Sequence, residues 1–366
     1  MSPRARRWAW NLAQVALTVL ALAWVFRLVQ FRDLYRIDGR ERPDVISSRR
    51  DGTDLVLVDR AGAEMRVPAG SVERHEGFLS LLGRVHKGAW LALSAAFLVP
   101  FAILALRWWI LLRGHGFAVP YGRTFLLSYA GVFFNNLLPG GVGGDLTKAV
   151  LAASGEERKA AIVGTVLLDR VIGLVVLVFL GAACLTPFAG RFGDARVPLL
   201  VYGLAGASVV GYLAYFDPRL RRLAAARLPF RGTLVQLDGV FRAVREKRRL
   251  TAASAALSLL SQCATILIVW GLARALGLGQ TPLWQFFVFE PVIFIVTALP
   301  ISVGGWGVQE GAYALLFATF GGMTREEAVA LSILVKLSML AASVPGGILF
   351  ALGAGRSRGH SPVSPV

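Results

Sequence analysis

The chain has 366 residues, of which 55% are hydrophobic and 17% are charged, and its mean hydropathy is +0.61. Soluble domains do not carry so many near-uncharged runs of about 20 residues, so the composition predicts a multi-pass membrane protein. The net charge of +17 could suggest a nucleic-acid partner, but the basic residues stand at the ends of apolar runs, as they do in cytoplasmic loops. We therefore expect anionic lipid headgroups at the cytoplasmic face, and no nucleic acid, to be the partner of these charges.

The N-terminal apolar run extends from Trp8 to Phe31 and follows three arginines at positions 4, 6 and 7. Its charge resembles that of a signal peptide, but the run is too long and has no small-residue cleavage site. Residues 1–31 are therefore predicted to be an uncleaved transmembrane anchor whose N-terminus is cytoplasmic.

Residues 32–84 differ in kind, because they carry ten arginines balanced by ten acidic residues. Apolar and polar residues alternate in Asp54–Asp59 and in Glu64–Val67, on either side of a turn at positions 60–62. The pattern predicts a small extracytoplasmic β unit. It has few large apolar residues, so we expect it to lean on the membrane domain for stability.

Five further apolar runs are predicted to cross the bilayer. They are Gly88–Leu112, Ala160–Thr186, Val197–Phe216, Ala252–Ala273 and Ala328–Gly353. Residues 217–250 form a basic cytoplasmic segment, since positions 217–249 hold ten Lys plus Arg against three acids. Six spans would place both termini in the cytoplasm of a protein of the cell membrane, and residues 355–366 are predicted to be a disordered tail.

Two polar, glycine-rich breaks interrupt apolar sequence, NNLLPGGVGGD at Asn135–Asp145 and LPISVGGWGVQEG at Leu299–Gly311. The apolar arms beside them are too short to cross a bilayer. These arms are Thr124–Leu138, Leu146–Ala153, Phe286–Ala298 and Ala312–Phe320. We predict two re-entrant hairpins, residues 124–153 and 284–320.

The predicted spans make the two hairpins enter the membrane from opposite sides, which is the signature of an inverted repeat. The repeat halves would be residues 85–216 and 251–354. Each half has a proline, a glycine pair and an acid at its break, then two adjacent acids, then an intramembrane cation, Arg170 or Lys336. The predicted fold class is an all-α polytopic membrane protein with six full spans, two oppositely oriented re-entrant hairpins and a small extracytoplasmic β unit.

The breaks are the predicted substrate site, because unwound backbone at membrane depth must be buried in protein or line a wet cavity. The helix that restarts near Asp145 points free N–H groups into that cavity, which favours phosphate or carboxylate. Asp145 could cap this helix, contact the substrate, or do both. Asp169 and Lys336 lie about 14 and 12 Å into their spans at 1.5 Å per residue. Charges there mark either a transport pathway or a structural ion pair, for example Asp169 with Lys336 or Arg170.

The predicted substrate-binding residues are Asn135, Asn136, Gly140, Gly141, Gly143, Gly144, Asp145, Lys148, Asp169, Arg170, Gly304, Gly305, Gln309, Glu310 and Lys336. The amides among them, together with Glu290, could equally satisfy backbone groups of the broken helices. Arg107 stands near a span end, where a side chain snorkels to the headgroups, and Trp306 is predicted to be a packing or interfacial anchor.

The sequence has no Cys/His spacing typical of a metal site and no nucleophile motif such as G-x-S-x-G. Cys184 and Cys263 both lie within apolar runs. We therefore expect no enzymatic activity, no catalytic residue, no metal and no cofactor.

The two break motifs, Lys148, the group Asp169-Arg170-x-x-Gly173 and Lys336 resemble the lysylphosphatidylglycerol synthase transmembrane family, also called flippase-like, over about residues 88–353. The resemblance implies a likeness to the membrane half of the multiple peptide resistance factor, which moves an aminoacylated phospholipid between leaflets. It also implies stand-alone relatives, some of them linked to glycolipid or hopanoid pathways. About a dozen residues follow the last predicted span, so the synthase activity in the family name is not carried over.

We expect a flippase-like transporter that moves an anionic or modified (glyco- or aminoacyl-) lipid across the cytoplasmic membrane, with lipid-modifying enzymes as candidate partners. Two alternatives stay open. The chain could be a non-catalytic membrane subunit or lipid transferase partner in a glycolipid or hopanoid pathway, or a scaffold that holds partners through its β unit.

Overall fold

The computed structural model describes residues 3–37, 40–42, 45–59, 61–137, 143–153, 158–191, 195–216, 246–299 and 301–353. Gly140 and Gly141, most of the basic segment and the predicted tail lie outside these residues. The helices, in chain order, are α1 (Pro3–Arg27), α2 (Phe78–Gly83), α3 (Lys87–Ala96), α4 (Leu98–Gly114), α5 (Tyr121–Leu137), α6 (Gly143–Ala152), α7 (Lys159–Leu185), α8 (Arg196–Phe216), α9 (Arg248–Ala275), α10 (Leu283–Ala298), α11 (Val308–Tyr313) and α12 (Arg325–Ala351). Short 3-10 helices lie at Ala69–Ser71 and Thr186–Arg191, and a π-helical turn lies at Ala314–Ala318.

Four helical stretches of the described chain are long and apolar enough to cross a membrane. They are Lys87–Gly114, Lys159–Gly190, Arg248–Ala275 and Arg325–Ala351. The first of them joins α3 and α4 through Phe97, whose backbone stays helical. Shorter apolar helical stretches occur at Leu12–Arg27, Pro198–Val210 and Leu283–Ala298. A mostly helical membrane protein with four candidate spans is therefore confirmed.

The N-terminal β unit is also confirmed. Its strands are β1 (Leu34–Ile37), β2 (Arg40–Arg42), β3 (Val45–Asp51), β4 (Asp54–Asp59), β5 (Glu64–Pro68) and β6 (Val72–His75). They form two antiparallel three-stranded sheets, in the orders β2-β1-β6 and β3-β4-β5. The predicted alternation is found in β5, whereas in β4 the neighbouring Val56 and Leu57 are both buried. A small core of Tyr35, Val45 and Leu57 holds the unit together.

The helices of the two predicted halves share one interior. Helix α4 packs against α9, α7 packs against α10, and α5 packs against both α6 and α12. Large side chains fill the centre, and Phe286, Phe289 and Phe317 are completely buried there. Apolar side chains such as Leu12, Leu199 and Val210 are exposed on the outer helix faces, as expected for surfaces that meet lipid. This packing places the two sequence breaks next to one another.

Candidate functional site

The first break lies between α5 and α6, and glycine lets these helices touch backbone to backbone. A Cβ atom on Gly144 would stand 1.8 Å from the carbonyl oxygen of Gly131, so no larger residue fits at position 144. The Asn135 side-chain oxygen accepts a hydrogen bond from the Gly144 amide at 2.8 Å. Asn135 therefore satisfies one of the free N–H groups at the start of α6.

The second break touches the first. Gly304 has a positive φ of +54°, and a Cβ atom there would lie 2.3 Å from the carbonyl oxygen of Asn136. The Asn136 side chain itself donates to the Val132 carbonyl at 3.1 Å. The contact between Asn136 and Gly304 joins the two glycine-rich breaks directly.

Further polar groups stabilise the second break. The Glu310 carboxylate accepts a hydrogen bond from the Gly307 amide at 2.6 Å and so caps α11. Gln309 lies 3.4 Å from Ser332, at the limit of a hydrogen bond. Lys336 is 4% exposed, and its ammonium donates to the Gly304 carbonyl at 2.6 Å. The Trp306 ring lies 5.5 Å from the same ammonium, a cation–π contact.

Five charged side chains form a connected group beside the first break, which we call the five-charge network: Arg107, Asp145, Lys148, Asp169 and Arg170. Lys148 lies between the two carboxylates, 3.0 Å from Asp145 and 3.6 Å from Asp169. Arg170 donates to Asp145, and Arg107 donates to Asp169 at 2.6 Å. Three cations against two carboxylates leave a formal charge of +1, held where water is scarce.

The position of Arg107 corrects the sequence prediction. Arg107 does not snorkel to the headgroups, because it is 5% exposed and holds Asp169 and the Ser258 hydroxyl, the latter at 2.9 Å. The predicted structural pairs of Asp169 with Lys336 or Arg170 are also wrong. Asp169 contacts Arg107 and Lys148, while Lys336 bonds to the backbone of the second break.

A cavity of about 350 Å³ lies between the two predicted halves. Its polar lining includes the five-charge network with Asn135, Ser128 and Gln262. The rest of the lining is mostly apolar and includes Phe97, Phe101, Leu104, Leu174, Leu177, Phe294 and Met339. Within the described chain, Oγ of Ser128 and Oε1 of Gln262 are buried without a hydrogen-bond partner, so both are available to a bound molecule. The lining suits an amphiphile.

The family model described as the lysylphosphatidylglycerol synthase TM region matches residues 75–346 of this chain. The chain belongs to this family. It is a membrane protein family linked to lipid handling. The matched region begins at His75, the last residue of β6, so the strands lie almost entirely outside it.

A UPF0104 membrane protein of Pyrococcus horikoshii is similar to this chain, with 23% identity over 280 residues. The alignment covers 68% of this chain and 82% of the relative. The relative's name states that it is a membrane protein and gives no activity.

The family motifs divide between two places in the structure. Five of the predicted substrate-binding residues line the cavity: Asn135, Asp145, Lys148, Asp169 and Arg170. The other described candidates lie around the joined breaks, outside the cavity lining. These are Asn136, Gly143, Gly144, Gly304, Gly305, Gln309, Glu310 and Lys336. Arg107, Ser128 and Gln262 line the cavity and were missed. The signal that could have led to Arg107 was Asp169 itself, because a carboxylate within an apolar span needs a cationic partner from another helix.

Proposed function

We propose that this chain moves a lipid with an anionic or modified headgroup between the leaflets of the cytoplasmic membrane. The observation that carries the proposal is the cavity whose lining combines a network of net positive charge with apolar side chains. The headgroup phosphate would contact the charged side chains, and the apolar side chains would accept the upper part of the acyl chains.

The network can exchange one anion for another. The two carboxylates offset two of the three positive charges while the cavity holds no lipid, which lowers the large cost of burying unpaired charge. Arg170 is the member with most access to the cavity, since its side chain is 29% exposed against 6% for Arg107. A guanidinium binds phosphate oxygens in the same forked geometry as a carboxylate. A lipid phosphate would therefore compete with Asp145 for Arg170. The buried ion pair of Arg107 with Asp169 would stay in place and keep the helices together.

The proposal includes a topology. Helices α1, α4, α7, α8, α9 and α12 would be the six full spans, with α5–α6 and α10–α11 as re-entrant hairpins that enter from opposite sides. Both termini and the basic segment would face the cytoplasm, and the β unit would face the exterior. The contact of Asn136 with Gly304 supports this topology, because the tips of two opposed hairpins would meet near the bilayer midplane.

The test is lipid movement in liposomes that contain the purified protein and a head-labelled phosphatidylglycerol analogue, with an external quencher that reads only the outer leaflet. Arg170→Gln removes a charge-assisted contact with phosphate, worth about 1.5–3 kcal/mol, so we expect movement to slow about 10- to 100-fold. Arg113→Gln is the matched control, since Arg113 is exposed in the last turn of α4 and we expect the wild-type rate.

Movement at the rate of protein-free vesicles in the wild type would contradict the proposal. That result, together with co-purification of a lipid-modifying enzyme, would favour the alternative of a non-catalytic subunit in a glycolipid or hopanoid pathway. If Arg170→Gln and Arg113→Gln slowed lipid movement equally, lipid movement would not depend on the cavity.

A further inference from the structure

A second buried polar group lies behind the joined breaks, and the five-charge network does not use it. Its centre is Glu290 of α10, which is 1% exposed. The Tyr313 hydroxyl donates a hydrogen bond to Oε1 of Glu290 at 2.6 Å. Among the residues that the structure describes, Glu290 has no ion-pair partner. Burying an ionised carboxylate without an ion-pair partner costs several kcal/mol, so the neutral acid is the form of Glu290 with the lower free energy.

Aromatic rings surround this group. The Phe317 ring centre lies 5.0 Å from those of Phe286 and Phe289 and 5.4 Å from that of Tyr313. All four rings are almost completely buried. Bulk water therefore does not solvate Glu290, and the group that stabilises its proton or its charge is the Tyr313 hydroxyl.

A second buried carboxylate, Glu310, stands on the same helix as Tyr313. Both residues belong to α11, three positions apart, and therefore lie on the same helix face. Glu310 is fully buried, and one of its oxygens caps the helix through Gly307. The other oxygen, Oε1, is buried with no hydrogen-bond partner in the described part of the chain. A buried carboxylate oxygen without a donor is an open place for a proton.

The charged groups near these carboxylates come from few elements. Helix α12 contributes Lys336, whose charge attracts Glu310. Helix α9 carries no charged residue between positions 250 and 273. Helix α7 approaches α10 through Gly181, whereas its Asp169 and Arg170 belong to the five-charge network. Helix α1 contributes only apolar contacts at Gly307 and Gly311, from Ala21, Leu22 and Val25 among the described contacts.

We propose that Glu290, Tyr313 and Glu310 form a proton-binding site, and that protons passing through this site drive lipid movement at the adjoining breaks. The inference rests on the proposed function. Glu310 takes up a proton at Oε1 and becomes neutral. Glu290 first releases its own proton to water on the other side of the membrane and is left ionised. The proton of Glu310 then passes on: the Tyr313 oxygen gains it and gives its own proton to Glu290, so Tyr313 ends with the protons with which it began and Glu290 is neutral again.

The position of Lys336 explains the coupling. Neutralising Glu310 removes the negative charge that attracts Lys336, so the break gains one net positive charge. An anionic headgroup then binds more tightly, and by reciprocity a bound headgroup favours protonation of Glu310. A proton and an anionic lipid would therefore move together.

The test measures where a phosphatidylglycerol analogue comes to rest in liposomes under a gradient of one pH unit, with the membrane potential clamped by potassium and valinomycin. One proton per lipid supports a leaflet ratio of up to about tenfold, because one pH unit is worth about 1.4 kcal/mol. We expect a ratio approaching about tenfold in the wild type and near one in Glu290→Gln and in Tyr313→Phe. Tyr129→Phe is the matched control, because it also loses a buried hydroxyl hydrogen bond, to Ala342, and should keep the wild-type ratio.

A second readout does not depend on transport. The infrared spectrum of the detergent-solubilised wild type should show a protonated carboxylic acid band that Glu290→Gln lacks. If the wild type moves lipid but reaches equal leaflet populations under the gradient, the coupling is wrong and the proposed function stands. If the wild type moves no lipid, the proposed function fails, and the infrared band alone supports or overturns proton binding. A wild-type ratio in both Glu290→Gln and Tyr313→Phe would also overturn the proposal.

Discussion

Replacing Arg107 with methionine tests whether the five-charge network is a buried structural frame. Arg107 and Asp169 side chains are each 6% exposed and 2.6 Å apart, so removing the arginine leaves Asp169 with Lys148 at 3.6 Å as its remaining cation. Breaking one side of a buried pair costs about 3–5 kcal/mol. At about 2 °C per kcal/mol for a chain of this size, the apparent melting temperature should fall by about 6–10 °C.

The assay is thermal unfolding of the purified protein in detergent, followed by a thiol-reactive dye that reports the half-buried Cys184 and Cys263 as they become fully exposed. Arg113→Met in the same helix is the control, and it should shift the melting temperature by about 1 °C or less, as a surface change does. Combining Arg107→Met with Asp169→Leu should recover part of the loss, because the two residues share one interaction. If Arg107→Met melts like the wild type, the pair does not stabilise the fold.

Four further predictions concern other parts of the molecule. Gly144→Ala should prevent folding, since its Cβ would overlap the Gly131 carbonyl, whereas Gly122→Ala meets no atom within 4 Å and should express normally; size-exclusion profiles compare them. Burial raises the pKa of Asp33, but hydrogen bonds from Ser80, the Gly77 amide and Arg74 outweigh it and hold the pKa below the usual 3.8. Its stabilising contribution is therefore complete above that value and lost as the pH falls through the lower folded-state pKa, so the β unit should become protease-sensitive in acid, and Asp33→Asn should remove this dependence. Cysteines at Leu137 and Ile301, which are 47% and 38% exposed beside the two breaks, should react with impermeant reagents from opposite sides in a chain whose own cysteines are replaced by alanine; labelling of both from one side would refute the inverted repeat. Deleting residues 34–82 with a short linker should leave lipid movement measurable, and complete loss in a folded, inserted protein would place the β unit in the mechanism.

Local sequence contrast predicted much of the fold. The breaks stand out because glycine, proline and amides interrupt long apolar runs, and the hairpin at Asp54–Asp59 stands out because its side chains alternate. Helix α11 begins at Val308, inside the predicted break, since Glu310 caps it through Gly307. A capping interaction within a polar stretch has no apolar periodicity that would reveal it. The apolar pattern therefore predicted the arm Ala312–Phe320 to start several residues later than the helix does.

Partners that are distant in sequence could not be predicted. Arg107 and Asp169 are 62 positions apart on different helices, and each looked explicable alone, one by snorkelling and the other by a functional role. The contact of Asn136 with Gly304 likewise depends on how the end of α5 meets the segment between α10 and α11. The hydrogen bond from Lys336 to the Gly304 carbonyl follows from backbone geometry that composition does not encode.

The central claim is that this protein transfers an anionic or modified lipid between leaflets through the cavity beside the five-charge network. Leaflet-resolved lipid analysis of cells that lack the protein tests it most directly. The account predicts that at least one such lipid accumulates in the leaflet where it is made, and that the wild-type protein, but not Arg170→Gln, restores its distribution. An unchanged distribution of every anionic and modified lipid after deletion, or full restoration by Arg170→Gln, would contradict it.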